Sequence, residues 1–386
     1  MELIEKILLV VYNLFIKGNK ITRWRKGFWT VKSIVLTGGG TAGHVTPNIA
    51  LLKRLKEEGY KISYIGSKDG IERELITKLK IDYYAISSGK LRRYFDKKNF
   101  TDMFRVVKGV KDASALIKKL KPSIVFSKGG FVSVPVVMGA KMHRVPVIIH
   151  ESDMTPGLAN KLSIPFATKI CTTFPETLEN VPKKKGVLTG SPIRNSLFSG
   201  TAKKGLEICG FNSSKPVLLV MGGSLGSVKI NGALRKSLDV LLKKFQIVHI
   251  CGKGNLDEDL ISLDGYTQFE YLSEELPNIF AACDIIASRA GSNSICEFLA
   301  LKKPNLLIPL SKEHSRGDQI LNAKSFEKQG FSKVLLEEDL NAETFYESIN
   351  SLYSNRGTYI ENMRQNKTSN GVEEIIKLIN EYAKEK

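Results

Sequence analysis

Twice in this chain an apolar strand runs straight into a glycine loop that opens a helix. Ser33-Ile34-Val35-Leu36-Thr37 leads into Gly38-Gly39-Gly40-Thr41-Ala42-Gly43-His44 and then a helical spacing at Ile49, Leu52 and Leu55. Val217-Leu218-Leu219-Val220-Met221 leads into Gly222-Gly223-Ser224-Leu225-Gly226 and then Ile230, Ala233 and Leu234. Glycines let the backbone approach a phosphate closely, and the helix behind them offers unpaired N–H groups and the positive end of its dipole. Each loop therefore reads as a diphosphate cradle, and two cradles suggest two phosphorylated ligands.

Around these loops, short β-branched runs alternate with helical stretches, at 34–37, 61–65, 83–86, 124–127, 147–150, 169–172 and 186–189, then at 217–220, 246–251, 267–271, 285–288 and 305–310. Such alternation predicts α/β architecture with doubly wound parallel sheets, whose ligands bind beyond the carboxyl ends of the strands. The 386 residues exceed one ordinary core, since domains run to ~150 residues each. The expected division is an N-terminal extension 1–31, a first domain 32–190, a turn-rich linker 191–215, a second domain 216–368 and a C-terminal helix 369–386. That helix, with Asn370 and Glu373 spaced as a cap, carries Val372, Ile375, Ile376, Ile379 and Tyr382 on one face and needs a partner surface, for which the first domain is the candidate.

Fifty-eight Lys and Arg against 39 Asp and Glu leave a net charge of +19. The excess favours nucleic acid, anionic membrane or phosphorylated substrates alike. No RNP-type aromatic motif, zinc finger or DNA-binding helix pair accompanies it, so nucleic acid is not an expected partner. The five cysteines stand singly, which suits free thiols in the core of a protein from a reducing compartment. No window reaches the ~18 to 20 apolar residues of a spanning helix. Leu3, Ile7, Val10 and Leu14 form a helical stripe followed by Lys17, Lys20, Arg23, Arg25 and Lys26, which fits a peripheral membrane helix and equally a loosely docked leader.

The first loop matches G-x-G-x-x-G at Gly38, Gly40 and Gly43, but a dinucleotide also needs an acid ending the second strand, about 20 residues on, for its ribose. Here that strand ends Ile65-Gly66-Ser67, with Asp69 past the tip. Phosphate cradling without a dinucleotide is the better reading, and a nicotinamide-dependent oxidoreductase is the rival from a different class. His44 follows the last glycine at a helix start, where the dipole disfavours imidazolium; it is a candidate proton acceptor, or else a packing histidine. A third turn, Ser127-Lys128-Gly129-Gly130-Phe131, and the run His150-Glu151-Ser152-Asp153 leave the sheet at the same edge.

In the second half, Ser294-Ile295-Cys296-Glu297 is either a capping box or a carboxylate placed to hold both hydroxyls of a ribose. Asp257-Glu258-Asp259 reads as a solvated turn, and no cluster has metal-ligand spacing, so neither a metal nor a cofactor is expected. Helix dipoles and arginine should then handle the diphosphate. Lys90-Leu91-Arg92-Arg93-Tyr94-Phe95 interleaves basic and apolar side chains, which suits contact with an anionic membrane surface through Leu91, Arg92, Arg93, Tyr94 and Phe95, or a basic loop whose aromatics pack inward.

Gly38 through Asn48, His150 through Asn160, Gly190-Ser191-Pro192-Ile193-Arg194, Gly222 through Gly226, and Arg289-Ala290-Gly291-Ser292 through Glu297 together resemble the MurG family, from about Lys32 to the C-terminus. These are peripheral membrane N-acetylglucosaminyltransferases that make lipid II in peptidoglycan synthesis. The resemblance implies a GT-B fold, two Rossmann-like domains facing each other across a cleft. It implies inverting transfer of GlcNAc from UDP-GlcNAc to the C4 hydroxyl of MurNAc in undecaprenyl-diphospho-MurNAc-pentapeptide, at the cytoplasmic side of the cell membrane. Cell shape, division and the cell cycle follow from that role, with other cell-wall synthesis proteins as further partners. A GT-B transferase acting on another membrane glycolipid, such as diacylglycerol, is the rival within enzymes.

Carried over by motif, Arg194 and Ser224 would contact the UDP diphosphate, the main chain near Leu272 the uracil, and Gly291, Ser292, Asn293 and Ser294 the phosphates from a helix start. Glu297 would bind the ribose, and Gln319 with Asp318 the GlcNAc hydroxyls. Thr37, Gly38, Gly39, Gly40, Thr41, Ala42 and Gly43, with Gly129 and Gly130, would hold the acceptor diphosphate. His44 would be the general base, with Glu151 as the second candidate. In some members an asparagine touching the donor sugar follows the His-Glu pair; Asp153 stands there in this chain, and Asn160 is the substitute.

Overall fold

The structure is a computed structural model that describes residues 32–89, 98–223, 226–313, 317–366 and 368–384. Among these, one unit runs to Arg194 and takes the chain back from Gly371, and the other is Asn195–Asn370. The stretch 191–215 is therefore shared between the units: its first residues close the first one, and the helix it contains belongs to the second.

In the first unit the chain runs through β1 (Ser33–Thr37), α1 (Ala42–Glu57), β2 (Lys61–Ser67), α2 (Ile71–Thr77), β3 (Asp82–Ile86), α3 (Lys98–Leu120), β4 (Ile124–Ser127), α4 (Ser133–Met142), β5 (Val147–Glu151), α5 (Leu158–Ser163), β6 (Lys169–Thr172) and β7 (Gly186–Leu188). The seven strands pair in parallel in the order β3-β2-β1-β4-β5-β6-β7. Their near-continuous β-branched runs follow from burial on both faces. Val35 and Ile65 face one apolar layer, with Val110, Ala113 and Val137. Ile34, Leu36 and Tyr64 face the other, with Leu51 and Leu55.

The C-terminal helix α14 (Val372–Tyr382) completes that second layer, burying Val372, Ile375, Ile376, Leu378 and Ile379. Its N-cap is Gly371, one residue past the Asn370 that the spacing suggested. Glu373 accepts from Arg54 Nε at 2.8 Å and Nη2 at 3.1 Å, which pins α14 to α1.

The second unit runs through α6 (Ala202–Cys209), β8 (Val217–Met221), α7 (Val228–Lys236), α8 (Leu238–Leu241), β9 (Gln246–Ile250), β10 (Tyr266–Phe269), α9 (Leu276–Ala282), β11 (Ile285–Ser288), α10 (Ser292–Leu301), β12 (Asn305–Leu307), α11 (Asp318–Lys328), β13 (Ser332–Val334), α12 (Ala342–Ser354) and α13 (Arg356–Gln365). Its parallel order is β10-β9-β8-β11-β12-β13. The edge strand β13 was not expected, because Ser332-Lys333-Val334 is three residues with no apolar run. All five cysteines lie buried as free thiols.

In both sheets the strand order reverses beside the first strand, between β1 and β4 and between β8 and β11. At such a switch point the connections diverge to opposite faces and leave a crevice at the carboxyl ends of the strands. Each glycine loop emerges there.

Candidate active site

In the first unit the glycine loop turns much of its polar equipment inward. Thr37 is buried and its hydroxyl donates to the Ile65 carbonyl at 2.8 Å, while the Gly38 carbonyl accepts from Tyr64 OH at 2.6 Å. The Gly40 N–H donates to Glu72 Oε2 at 3.1 Å, and Glu72 Oε1 also accepts from the Ser67 N–H at 3.0 Å and the Ser67 hydroxyl. Glu72 is fully buried, and a Cβ on Gly39 would collide with its carboxylate. Glu72 stands on α2 and not at the end of β2, where a dinucleotide site needs its acid, and its carboxylate is spent on the loop itself. What remains outward is Gly40, Thr41 and Ala42, exposed at the entry to α1, with Gly43 half-buried behind them.

His44 sits half-buried in the first turn of α1, and its Nδ1 lies 3.1 Å from the Lys128 carbonyl. A carbonyl only accepts, so Nδ1 carries the proton and Nε2 keeps its lone pair. Burial, and next the Lys128 charge, hold His44 below the ordinary imidazole value, against the Lys128 hydrogen bond and the charges of Asp153 and Glu72. The ring is therefore neutral at pH 7 and presents a proton acceptor.

Glu151, the second candidate base, is differently placed. Its oxygens accept from the Asp153 N–H at 3.0 Å, the Gly157 N–H at 3.0 Å and Asn160 Nδ2 at 2.8 Å, so it ties down the turn after β5. Burial raises its pKa against those bonds. Asn160 is buried too, its amide also donating to the His150 carbonyl at 3.1 Å, and its Oδ1 would lie 3.2 Å from a Cβ on Gly129. The turn after β4, with Gly129 at φ 89° and Gly130 at φ 84°, presses against the first loop; a Cβ on Gly130 would strike the Gly39 carbonyl. The switch point thus brings together the first glycine loop, His44, Gly129, Gly130, Asp153 and Asn160.

In the second unit α10 begins at Ser292 with Gly291 as its N-cap. Ser294 is the third helical residue, so Ser294 and Glu297 do not form a capping box. Glu297 stands half-buried one turn further on. A Cβ on Gly291 would meet nothing within 4 Å, so the space before this helix start is open. Leu272 is buried just past β10. Asp318 and Gln319 open α11, and Gln319 Oε1 accepts from the Leu310 N–H at 3.0 Å. Arg194 is half-buried at the end of the first unit. Ser224 and the segment Leu91 to Phe95 lie outside the described residues.

Three groups escaped the sequence reading as site-builders: Glu72, Lys128 and the pair Arg289–Glu337. Arg289, in the turn before α10, donates to the Ile308 carbonyl at 3.1 Å, to Ser227 Oγ at 2.7 Å and to the buried Glu337 carboxylate. Burial pushes Glu337 up, but the Arg289 bond and charge outweigh it and leave the carboxyl below its usual range. Ser227 caps α7, its hydroxyl accepting from the Ile230 N–H, so one guanidinium joins the second glycine loop to the start of α10. Their separation in sequence is what hides them. Among the described residues, no group of three or more His, Cys, Asp or Glu is placed to hold a metal.

Residues 34–172 match the glycosyltransferase family 28 N-terminal domain, and residues 217–379 match the glycosyltransferase family 28 C-terminal domain. The chain is 62% identical over 351 residues, 91% of its length and 98% of the relative's, to a Clostridium tetani protein named UDP-N-acetylglucosamine–N-acetylmuramyl-(pentapeptide) pyrophosphoryl-undecaprenol N-acetylglucosamine transferase. It is 60% identical to the protein of that name from Lachnoclostridium phytofermentans, across 91% of this chain and 99% of the other. Among solved structures its fold is similar to Acinetobacter baumannii MurG, with a TM-score of 0.72 at 24% identity over 91% of this chain and 99% of that one. The kitacinnamycin glycosyltransferase shares the fold at a TM-score of 0.70 and 13% identity, over 92% and 100% of the two chains.

Proposed function

The chain belongs to glycosyltransferase family 28, and from that premise we propose that it moves GlcNAc from UDP-GlcNAc to the C4 hydroxyl of MurNAc in undecaprenyl-diphospho-MurNAc-pentapeptide, the lipid I to lipid II step of peptidoglycan synthesis. The observation that carries this reading is the 62% identity, across 91% of the chain, to a transferase named for that reaction. The two switch-point sites, one per unit, agree with a reaction that joins two phosphorylated substrates.

Inverting transfer needs a base on the acceptor hydroxyl and stabilisation of the charge that develops on departing UDP. His44 takes the hydroxyl proton at Nε2, because its Nδ1 proton is committed to the Lys128 carbonyl. Glu151 is the poorer base, its oxygens already engaged by three donors. The start of α10, at Gly291, Ser292, Asn293 and Ser294, receives the donor diphosphate, with Arg194 and Ser224 as further contacts. Glu297 binds the ribose hydroxyls, the main chain at Leu272 the uracil, and Asp318 and Gln319 the GlcNAc hydroxyls.

On the acceptor side, Thr41 to Gly43 and the turn Gly129-Gly130 bind the lipid diphosphate. Thr37 to Gly39 shape that site from behind, since all three are buried, and the exposed Gly40 has its N–H committed to Glu72. Asn160 Nδ2 is committed to the His150 carbonyl and Glu151 while its Oδ1 has no partner among the described residues, so Asp153 and Asn160 Oδ1 both stand as donor-sugar contacts. The charge of +19 and the basic and apolar sequence of Leu91 to Phe95 support contact with an anionic cytoplasmic leaflet. No helix among the described residues is long and apolar enough to cross a membrane.

The test is purified chain with labelled UDP-GlcNAc and vesicles holding either lipid I or diacylglycerol. Label in lipid II alone supports the reading; label only in a diacylglycerol product overturns it.

A further inference from the structure

Lys128 is 1% exposed immediately after β4, a depth at which the chain ordinarily carries an apolar side chain. An ammonium taken out of water is costly unless its protons are used. Here they are: Nζ donates to His150 Nδ1 at 2.9 Å and to the Ser152 hydroxyl. Because His150 Nδ1 accepts, its proton lies on Nε2, which is 3.0 Å from the Gly190 carbonyl and donates to it. His150 is fully buried, so this tautomer has no solvent partner to compete with it.

The main chain of the same residue reaches the other way. The Lys128 N–H donates to the Thr37 carbonyl at 2.9 Å, and the Lys128 carbonyl accepts the Nδ1 proton of His44 at 3.1 Å. One residue therefore joins the carboxyl ends of β1, β4 and β5 to the segment after β7, and it holds the ring that faces the acceptor.

We propose that Lys128 is a positioning residue for His44, a buried lysine whose clamp on His150 and Ser152 fixes the carbonyl that orients the His44 ring. The proposal rests on His44 as the base. The charged groups facing His44 come from three elements: Lys128 after β4, Asp153 after β5 and Glu72 on α2, of which only Lys128 opposes protonation. A side chain that merely filled the core could be replaced by an apolar one of equal length without consequence for His44; this one cannot.

Lys128→Met in the full chain keeps the length of the side chain and removes its charge and its hydrogen bonds. The expected result is a kcat about 10- to 100-fold lower, the scale of a misplaced catalytic group. The KM for UDP-GlcNAc should change far less than kcat, because most of that ligand's proposed contacts are in the second unit, Arg194, Asp153 and Asn160 being the exceptions. In the same variant the His44 imidazole, followed by NMR on histidine-labelled protein, should titrate at higher pH than in wild type, and the acid limb of kcat should move with it. A His44 titration that coincides with wild type overturns the proposal.

The wild-type chain gives a second test that needs no variant. His150 should show a protonated Nε2 and an Nδ1 that accepts a hydrogen bond, and the opposite tautomer overturns the clamp. Failure of the underlying reading is separately visible: His44→Gln with wild-type turnover would remove His44 as base, whereas the NMR titration of Lys128→Met reports the coupling whether or not His44 is the base.

Discussion

Glu72→Ala removes the common acceptor of three donors at once: the Gly40 N–H, the Ser67 N–H and the Ser67 hydroxyl. The site is fully buried, so water cannot simply replace the carboxylate. A buried donor left without a partner costs about 1–3 kcal/mol. Taking the lower end for each, because the shortened side chain leaves room for partial solvation, the loss is about 3 kcal/mol. For a unit of this size each kcal/mol lowers the melting temperature by about 2–4 °C, so the first unit should melt roughly 6–12 °C earlier.

Glu72→Gln separates charge from shape. Its amide oxygen can still serve Ser67, but its NH2 then meets the Gly40 N–H, donor against donor, and part of the loss should remain. Thermal unfolding by circular dichroism and calorimetry measures both variants, and UDP affinity, whose proposed contacts lie mostly in the second unit, serves as the control for a folded donor site. A Glu72→Ala protein melting within about 2 °C of wild type would refute the idea that this carboxylate organises the first glycine loop.

Glu297→Gln should weaken UDP-GlcNAc binding about tenfold by calorimetric titration with little change in melting temperature, since the helix is capped at Gly291 and not by Ser294. Lys121 and Lys302 hold left-handed backbone at φ 45° and 56°, where a side chain is strained; Lys302→Gly should raise stability to urea by about 0.5–1 kcal/mol. Ending the chain at residue 370 removes five buried side chains of α14, worth about 1.5–3 kcal/mol each. That sum rivals the 5–15 kcal/mol of a whole domain, so the first unit should become fully sensitive to protease while the second resists.

What was legible in the sequence was local. A β-branched run followed by glycines and a helical spacing announces strand, loop and helix within fifteen or so residues, and the alternation of such units carries parallel order with it. Strand β13 escaped because an edge strand of three residues needs no apolar run. Ser294-x-x-Glu297 has the spacing of a cap as well as of a ribose contact, and only the structure, with the N-cap at Gly291, removes the first alternative. His44 could be read from its place at a helix start, but not its tautomer, which depends on a carbonyl 84 residues away. Glu72 reaches Gly40 across 32 residues, and Arg289 reaches Glu337 across 48. Such pairings become visible only when the sheet order puts the loops side by side.

The most direct measurement is the rate of GlcNAc transfer from UDP-GlcNAc to lipid I by wild-type chain and by His44→Gln, with UDP-GlcNAc affinity determined on both. Wild type should form lipid II, with an acid limb below the ordinary imidazole value of 6.5, because burial and Lys128 lower the pKa of His44. His44→Gln should bind UDP-GlcNAc normally and transfer at least about 100-fold more slowly, the contribution of a general base. No lipid II from wild type would contradict the assigned reaction, and a variant rate above about a tenth of wild type would contradict the role of His44 in it.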